Sequence, residues 1–249
     1  MLLAPVADRV AQAVVKDFLE QIVEPKFHED SYAYRSGKSA VEAVGVARER
    51  CWRQDWCIDL DIRGFFDNLD HELMMKAVKH HTDEKWIHLY VKRWLEAPLQ
   101  RGDGELVERK SGTPQGGVIS PLLANLFMHH AFDEWMRKHC PTAKFERFSD
   151  DVLVHCSSLK QAKEVLEKIR NRLKECGLEL HPEKTKIVYC KDDDRKGSHE
   201  NESFDFLGYT FRPRLSKNKH GKTFVNFTPA MSGKAANKIR KAIRSWKVI

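Results

Sequence analysis

The sequence lacks any uninterrupted apolar run near the roughly 20 residues a membrane helix needs, and no signal peptide stands at its start. It therefore predicts no membrane partner and a cytoplasmic protein. The six cysteines (51, 57, 140, 156, 176 and 190) contain no CxxC pair, which predicts reduced thiols and argues against a disulfide framework or a zinc site. His80-His81 and His129-His130 are adjacent pairs without metal-ligand spacing. There is no internal repeat, and no glycine-rich phosphate loop joins a strand to a helix. Residues 232–247 contain no acid at all.

What is present is enough for a real core. Of 249 residues, 41% are hydrophobic and 10% aromatic, which excludes a disordered chain and suits one large domain or two small ones. The formal charge is +7, and the excess is uneven. Lys234, Lys238, Arg240, Lys241 and Arg244 fall in the acid-free stretch, a basic stripe that suits a polyanion. A solvated helix face accounts for the same stripe.

Apolar residues at helical spacing (Val6, Val10, Val14, Phe18, Ile22) predict a first helix, and a second starts near Ser39. "WCIDLDI", 56–62, alternates. Ile58, Leu60 and Ile62 share one strand face, and Cys57, Asp59 and Asp61 share the other. Asp70 is placed as the N-cap of a helix running to about His81. Residues 83–96 predict an amphipathic helix with Trp86, Ile87, Tyr90, Trp94 and Leu95 inward. A hairpin around Gly-Asp-Gly follows at 99–108, then a turn-rich loop and a helix from about Pro121. "RFSDDVLVHC", 147–156, reads as strand, turn and strand, and residues 159–176 as a helix closed by Gly177. Short strands fill 178–229, with 190–203 a polar, mobile loop, and the basic helix comes last. Intermixed helices and strands without regular βαβ crossovers predict an α+β fold on an antiparallel sheet.

Asp61 ends one strand, and Asp150 and Asp151 sit at a hairpin tip. Strands of this kind can lie side by side, and three converging carboxylates repel unless a cation neutralises them. Oxygen ligands without His or Cys select Mg²⁺ or Mn²⁺. Two such ions roughly 3.5–4 Å apart suit in-line displacement at phosphorus. Ser-Asp-Asp is also ordinary turn chemistry, so the pair alone does not decide.

Six ordered blocks carry a resemblance. "FSDDVLV" resembles the (Y/F)-x-D-D motif of reverse transcriptases. "DIRGFFDNLDHELM", 61–74, resembles their first palm motif, and "SGTPQGGVISPLLANLFM", 111–128, is similar to the signature of group II intron-encoded reverse transcriptase/maturases. "EDSYAYRSGKSAVEAV", "HPEKTKIVYC" and "FDFLGYTFRP" resemble an upstream block and the last two palm blocks. The resemblance spans nearly the whole chain. It implies a right-hand polymerase palm with helical fingers elements, and RNA-directed DNA polymerase activity. The implied partners are an RNA template, intron RNA, a DNA or RNA primer and dNTPs.

Carried onto this sequence, the resemblance implies that Asp61 and Asp150 are the principal ligands of two Mg²⁺ ions. Asp151 is the neighbouring carboxylate, and Ile62 contributes its backbone carbonyl. Phe66 stands where related enzymes place a ring against the sugar, and adjacent Phe65 is an alternative; core packing explains either ring as well. Gln115 and Gly116 belong to the loop that approaches the incoming nucleotide. Lys184 or Lys186 is placed to protonate or balance the leaving pyrophosphate, unless each is a solvated strand lysine. Arg35 and Lys38 are family-like basic positions expected to meet template phosphates. "FLGYTF" resembles a primer-grip hairpin, though a plain core strand also explains its aromatics.

The chain departs from the family pattern in three ways. Phe148-Ser149 replaces the usual Tyr-Ala, with no metal ligand lost. The chain starts after the usual N-terminal fingers, and it stops where a thumb, followed by DNA-binding and endonuclease regions, is expected. The expected layout is therefore partial fingers at 1–55, palm at 56–228 with inserted fingers elements (helices 70–97, hairpin 99–110), and the start of a thumb at 229–249. A catalytically weak RNA-binding maturase fragment, an RNA-dependent RNA polymerase and a domesticated defence-system reverse transcriptase are the alternative readings. The phenylalanine at the sugar position and the Thr-Pro-Gln-Gly block speak against the RNA polymerase.

Overall fold

The computed structural model describes residues 6–100, 105–114 and 116–246. The chain begins with α1 (Val6–Val23) and α2 (Ala40–Arg53), then β1 (Trp56–Leu60). A short α3 (Phe65–Asn68) leads to α4 (His71–His81), α5 (Lys85–Glu96) and a small pair, β2 (Leu99–Gln100) with β3 (Leu106–Val107). Next, α6 (Ser120–Met128) passes through a π-helical stretch at 129–133 into α7 (Glu134–His139). The hairpin β4 (Lys144–Phe148) and β5 (Asp151–Cys156) follows, then α8 (Leu159–Glu175) and β6 (Lys186–Tyr189). Three strands, β7 (Phe204–Phe206), β8 (Tyr209–Lys217) and β9 (Thr223–Met231), precede α9 (Gly233–Ser245).

The central sheet has the order β4-β5-β1-β6, with every pairing antiparallel. The alternation read from the sequence is the one observed. Ile58 and Leu60, with Val152 and Val154 across from them, face the main core against α1 and α4–α8. Cys57, Leu153 and Val188 face a second core formed with α2 and the β7-β8-β9 sheet. Both faces are covered, so the middle strands are apolar on both sides and their polar residues collect at the strand ends. The α+β expectation holds.

Local signals account for the helix ends. The Asp70 carboxylate accepts the Leu73 N–H at 2.8 Å, capping α4 as predicted. Ser39, Ser158 and Ser232 cap α2, α8 and α9 in the same way. Gly177, at φ +75, closes α8 while the Leu178 N–H returns to the Leu173 carbonyl at 2.9 Å.

α1 forms as expected, with Val6, Val10, Val14 and Phe18 exposed and Gln12, Val15, Leu19 and Val23 buried. Three expectations differ from the structure. In α5, Trp86 and Tyr90 are exposed while Val91 is buried, which rotates the inward face toward Ile87, Val91, Trp94 and Leu95. Phe18 and Trp86 meet edge to face at the surface, with centroids 5.5 Å apart. The 190–203 segment is tethered. Arg195 pairs with Asp55 at 2.8 Å and donates to the carbonyls of Cys51, Cys190 and Trp52. β8 and β9, nine residues each, form a longer ribbon than short strands. Among the described residues no helix is long and apolar enough to cross a membrane.

Candidate active site

Two neighbouring strands bring the carboxylates to one edge. β1 pairs with β5 through Ile58↔Val154 and Leu60↔Val152. One further step in that register sets Asp61 opposite Asp151. Asp150 and Asp151 sit at the β4–β5 tip, where Phe148 pairs with Asp151 and the two-residue turn is Ser149-Asp150. Ser149 holds φ +63, a left-handed conformation uncommon for a residue with a Cβ.

The backbone of Asp61 is fixed from the other side. Its carbonyl accepts the His181 N–H at 2.8 Å, and its own N–H reaches Thr185 Oγ1 at 3.3 Å. Lys184 Nζ lies 3.4 Å from Asp61 Oδ2. Lys186 is cross-strand partner to Asp59. Ile62 bridges Leu180 and buries its side chain in the main core.

The electrostatics are those of crowded carboxylates. Burial, then the charges of Asp150 and Asp61, push Asp151 up to about 6. Asp59 is pushed up to about 7 by burial and by Asp151 and Asp61, against the opposing pull of Lys186. The mutual repulsion that raises Asp151 and Asp59 is one a divalent cation would relieve. Its donor set is all oxygen, which fits Mg²⁺ or Mn²⁺.

The structure separates the two phenylalanines. Phe65 is 2% exposed and packs in the main core, so it is not on the open side as a nucleotide contact; Phe66 is half-buried, its ring edge to face with Phe65 at 5.1 Å. The glycine-rich loop docks directly on this turn. Gly112 N–H donates to the Leu69 carbonyl at 2.7 Å, and Thr113 N–H to the Phe66 carbonyl at 2.8 Å. Gly112 has φ +82, and a Cβ there would meet Phe66 O at 2.7 Å, so only glycine lets the loop lie this close. Gly116 is exposed in a turn, also at φ +82, and Gln115 lies outside the described residues.

Beneath the hairpin is a polar network that sequence reading missed. Arg147, fully buried, grips Asp133 with two hydrogen bonds of 2.7 Å. It also donates to Ser31 Oγ, Asn125 Oδ1 and the Ser149 carbonyl at the turn. Buried Gln12 accepts the Val118 N–H at 2.8 Å, holding the glycine-rich loop to α1. The available signal was Asn125, a lone polar residue in the otherwise apolar α6.

Of the basic positions, Arg35 does not face solvent. Its guanidinium bonds Glu24 at 2.7 Å and the carbonyls of His28 and Ser31, so its donors are committed within the chain and not to template phosphates. Lys38 donates to the Glu29 carbonyl at 2.8 Å and lies over the Tyr32 ring. In contrast, Lys234, Lys238, Arg240, Lys241 and Arg244 lie on α9, which buries no residue.

Two further clusters form that the sequence spacing concealed. His80, His81, His129 and His130 meet at one corner, where burial and mutual repulsion push His81 and His130 down to about 4. Cys51, Cys57 and His155 bring their ligand atoms within 4.8 Å of one another, the one such trio of His, Cys, Asp or Glu among the described residues. The three aspartates are more open than that.

Comparison with known proteins agrees with this architecture. Residues 1–211 match the family model described as "Reverse transcriptase (RNA-dependent DNA polymerase)". The chain is 28% identical over 189 residues to the group II intron-encoded protein LtrA of Lactococcus lactis subsp. cremoris, covering 76% of this chain and 30% of LtrA. It is 28% identical over 250 residues to the protein YkfC of Escherichia coli K12, covering 84% of this chain and 62% of YkfC. The chain thus spans less than two thirds of either relative. In fold it is similar to telomerase from Candida albicans, solved with a fragment of telomeric RNA. The TM-score is 0.62 at 14% identity, covering 98% of this chain and 42% of that one. Apo telomerase from Candida tropicalis truncated from its C-terminal domain gives 0.58 at 16% identity, covering 83% and 43%. The central antiparallel sheet is accordingly the palm of a right-hand polymerase fold, and the chain belongs to the reverse transcriptase family.

Proposed function

We propose that this chain is the nucleotidyl-transfer core of an RNA-directed DNA polymerase of the group II intron type. The observation that carries the reading is the meeting of Asp61 with Asp150 and Asp151 at the ends of two paired strands. These carboxylates, with the Ile62 carbonyl, would hold two Mg²⁺ ions, and Mn²⁺ suits the same oxygen donors. When bound, such ions activate the primer hydroxyl and neutralise the triphosphate. Phe66 lies against the sugar of the incoming dNTP and crowds a ribose 2′-hydroxyl. Gly116, with Gln115 before it in sequence, is assigned to contact the incoming nucleotide. Lys184, already at Asp61, balances charge on the departing pyrophosphate.

In this reading residues 1–55 are partial fingers, 56–228 the palm with its inserted elements, and 229–249 the start of a thumb. Template RNA and a DNA or RNA primer run over the acidic corner. Primer extension on an RNA template with dNTPs and Mg²⁺ is the test. Synthesis that disappears in Asp150→Ala/Asp151→Ala supports the assignment, and equal synthesis by that variant overturns it.

A second activity is favoured by α9, an exposed helix whose charged residues are all basic. It suits the phosphate backbone of intron RNA, as a maturase function requires. Intron RNA binding that weakens steeply with salt and survives loss of Asp150 and Asp151 would support this reading.

A further inference from the structure

The trio at Cys51, Cys57 and His155 lies on the opposite face of the palm sheet from the main core. Cys57 on β1 is the direct cross-strand partner of His155 on β5, and Cys51 reaches them from α2. All three are completely buried. Cys190, just past β6, is buried in the same second core but lies outside the mutually close trio. Arg195 fastens the backbone carbonyls of Cys51 and Cys190 at 2.7 and 2.6 Å, fixing two of the four positions.

The histidine is oriented as a ligand would be. Its Nε2 is bonded to Glu146 Oε2 at 2.6 Å, and Glu146 is paired with Arg50 at 2.8 Å. Its Nδ1 is buried without a partner. A buried ring nitrogen with no partner costs free energy, and a histidine whose other nitrogen is held by a carboxylate is the usual arrangement at zinc. Burial pushes the Cys57 thiol up to about 12 and raises Cys51 and Cys190 as well, so without a cation these sulfurs stay protonated.

We propose that Cys51, Cys57 and His155 through Nδ1, with Cys190 as the fourth donor, bind one zinc ion that staples α2 to the palm sheet. Three sulfurs and one imidazole match the soft, tetrahedral preference of zinc and not that of Mg²⁺. Zn–S near 2.3 Å and Zn–N near 2.0 Å require donor atoms roughly 3.5–3.8 Å apart, so the trio must draw in from its 4.8 Å limit and Cys190, which lies outside that limit, must approach further on binding. Binding releases the thiol protons to solvent and leaves Nε2–H on Glu146. The site is distinct from the carboxylate corner and uses none of its residues.

The full chain, purified without chelator, is tested by elemental analysis, by cobalt substitution and by melting before and after chelation. The expected result is about one zinc per chain, a thiolate-to-cobalt charge-transfer band, and a melting temperature lowered by chelation and restored by zinc. Cys57→Ser should lose the zinc and the band, while Cys140→Ser, outside the cluster, keeps both. Folded wild-type protein with no zinc, no cobalt–thiolate band and unchanged melting after chelation overturns the proposal. So does a Cys51–Cys57 disulfide in freshly purified protein. None of these readouts involves polymerase activity.

Discussion

Lys184 and Asp61, 123 positions apart, meet across the acidic corner with Nζ 3.4 Å from Oδ2. Lys186, two residues on, faces Asp59 instead. The two lysines that the sequence left as equivalents therefore stand on different carboxylates, and only Lys184 touches a proposed metal ligand. Lys184→Ala should slow single-turnover dNTP incorporation by on the order of 10²-fold and change its pH profile. Lys186→Ala should have a smaller effect on rate. Equal losses in both would contradict this division.

Asp151 and Asp59 hold their protons more tightly folded than unfolded, up to about 6 and about 7 against the ordinary 3.8. The folded state then binds more protons at these two groups, so their contribution to stability is most favourable below the ordinary carboxylate range and is lost as pH rises through both values. Mg²⁺ should offset that loss. The melting-temperature gain on adding Mg²⁺ is expected to grow from about pH 5 to about pH 8, and Asp151→Asn should shrink it. A gain independent of pH would count against ionic crowding at this corner.

Phe66 and Phe65 should part company on mutation. Phe66→Ala is expected to raise ribonucleotide use relative to dNTPs by about tenfold or more, with a smaller loss of stability than Phe65→Ala because its ring is only half-buried. Phe65→Ala removes a fully packed ring and should cost about 3–5 kcal/mol in denaturant unfolding. A change of sugar preference in Phe65→Ala alone would reverse the assignment.

Arg147 carries the sharpest stability prediction. Replacing it with Ala strands the Asp133 carboxylate, fully buried, without its two bonds. The expected cost is about 3–5 kcal/mol, measured by urea unfolding. Arg147→Lys should recover little, because an ammonium cannot make the paired bonds of a guanidinium.

The palm was legible because its signals are periodic and local. Ile58 and Leu60 alternate with Cys57 and Asp59 as a strand covered on both faces must, and Asp70, Gly177 and Ser39 sit where caps belong. The inward face of α1 was not legible. Its buried positions include Gln12, a polar residue chosen to hold Val118, while valines occupy the open side. Arg35 misled for the same reason: sequence shows a charge, but not that Glu24 and two carbonyls already hold it. The cysteine cluster was hidden because its members come from α2, β1, β5 and the end of β6, and only tertiary pairing assembles them.

The turn at Ser149-Asp150 joins strands that pair residue for residue, Phe148 to Asp151 and Arg147 to Val152. One added residue there would send every β5 side chain to the opposite face, moving His155 toward the main core and Val152 and Val154 away from it. It would also part Asp151 from Asp61. At this turn a substitution leaves the pairing register in place, whereas an inserted or deleted residue shifts it.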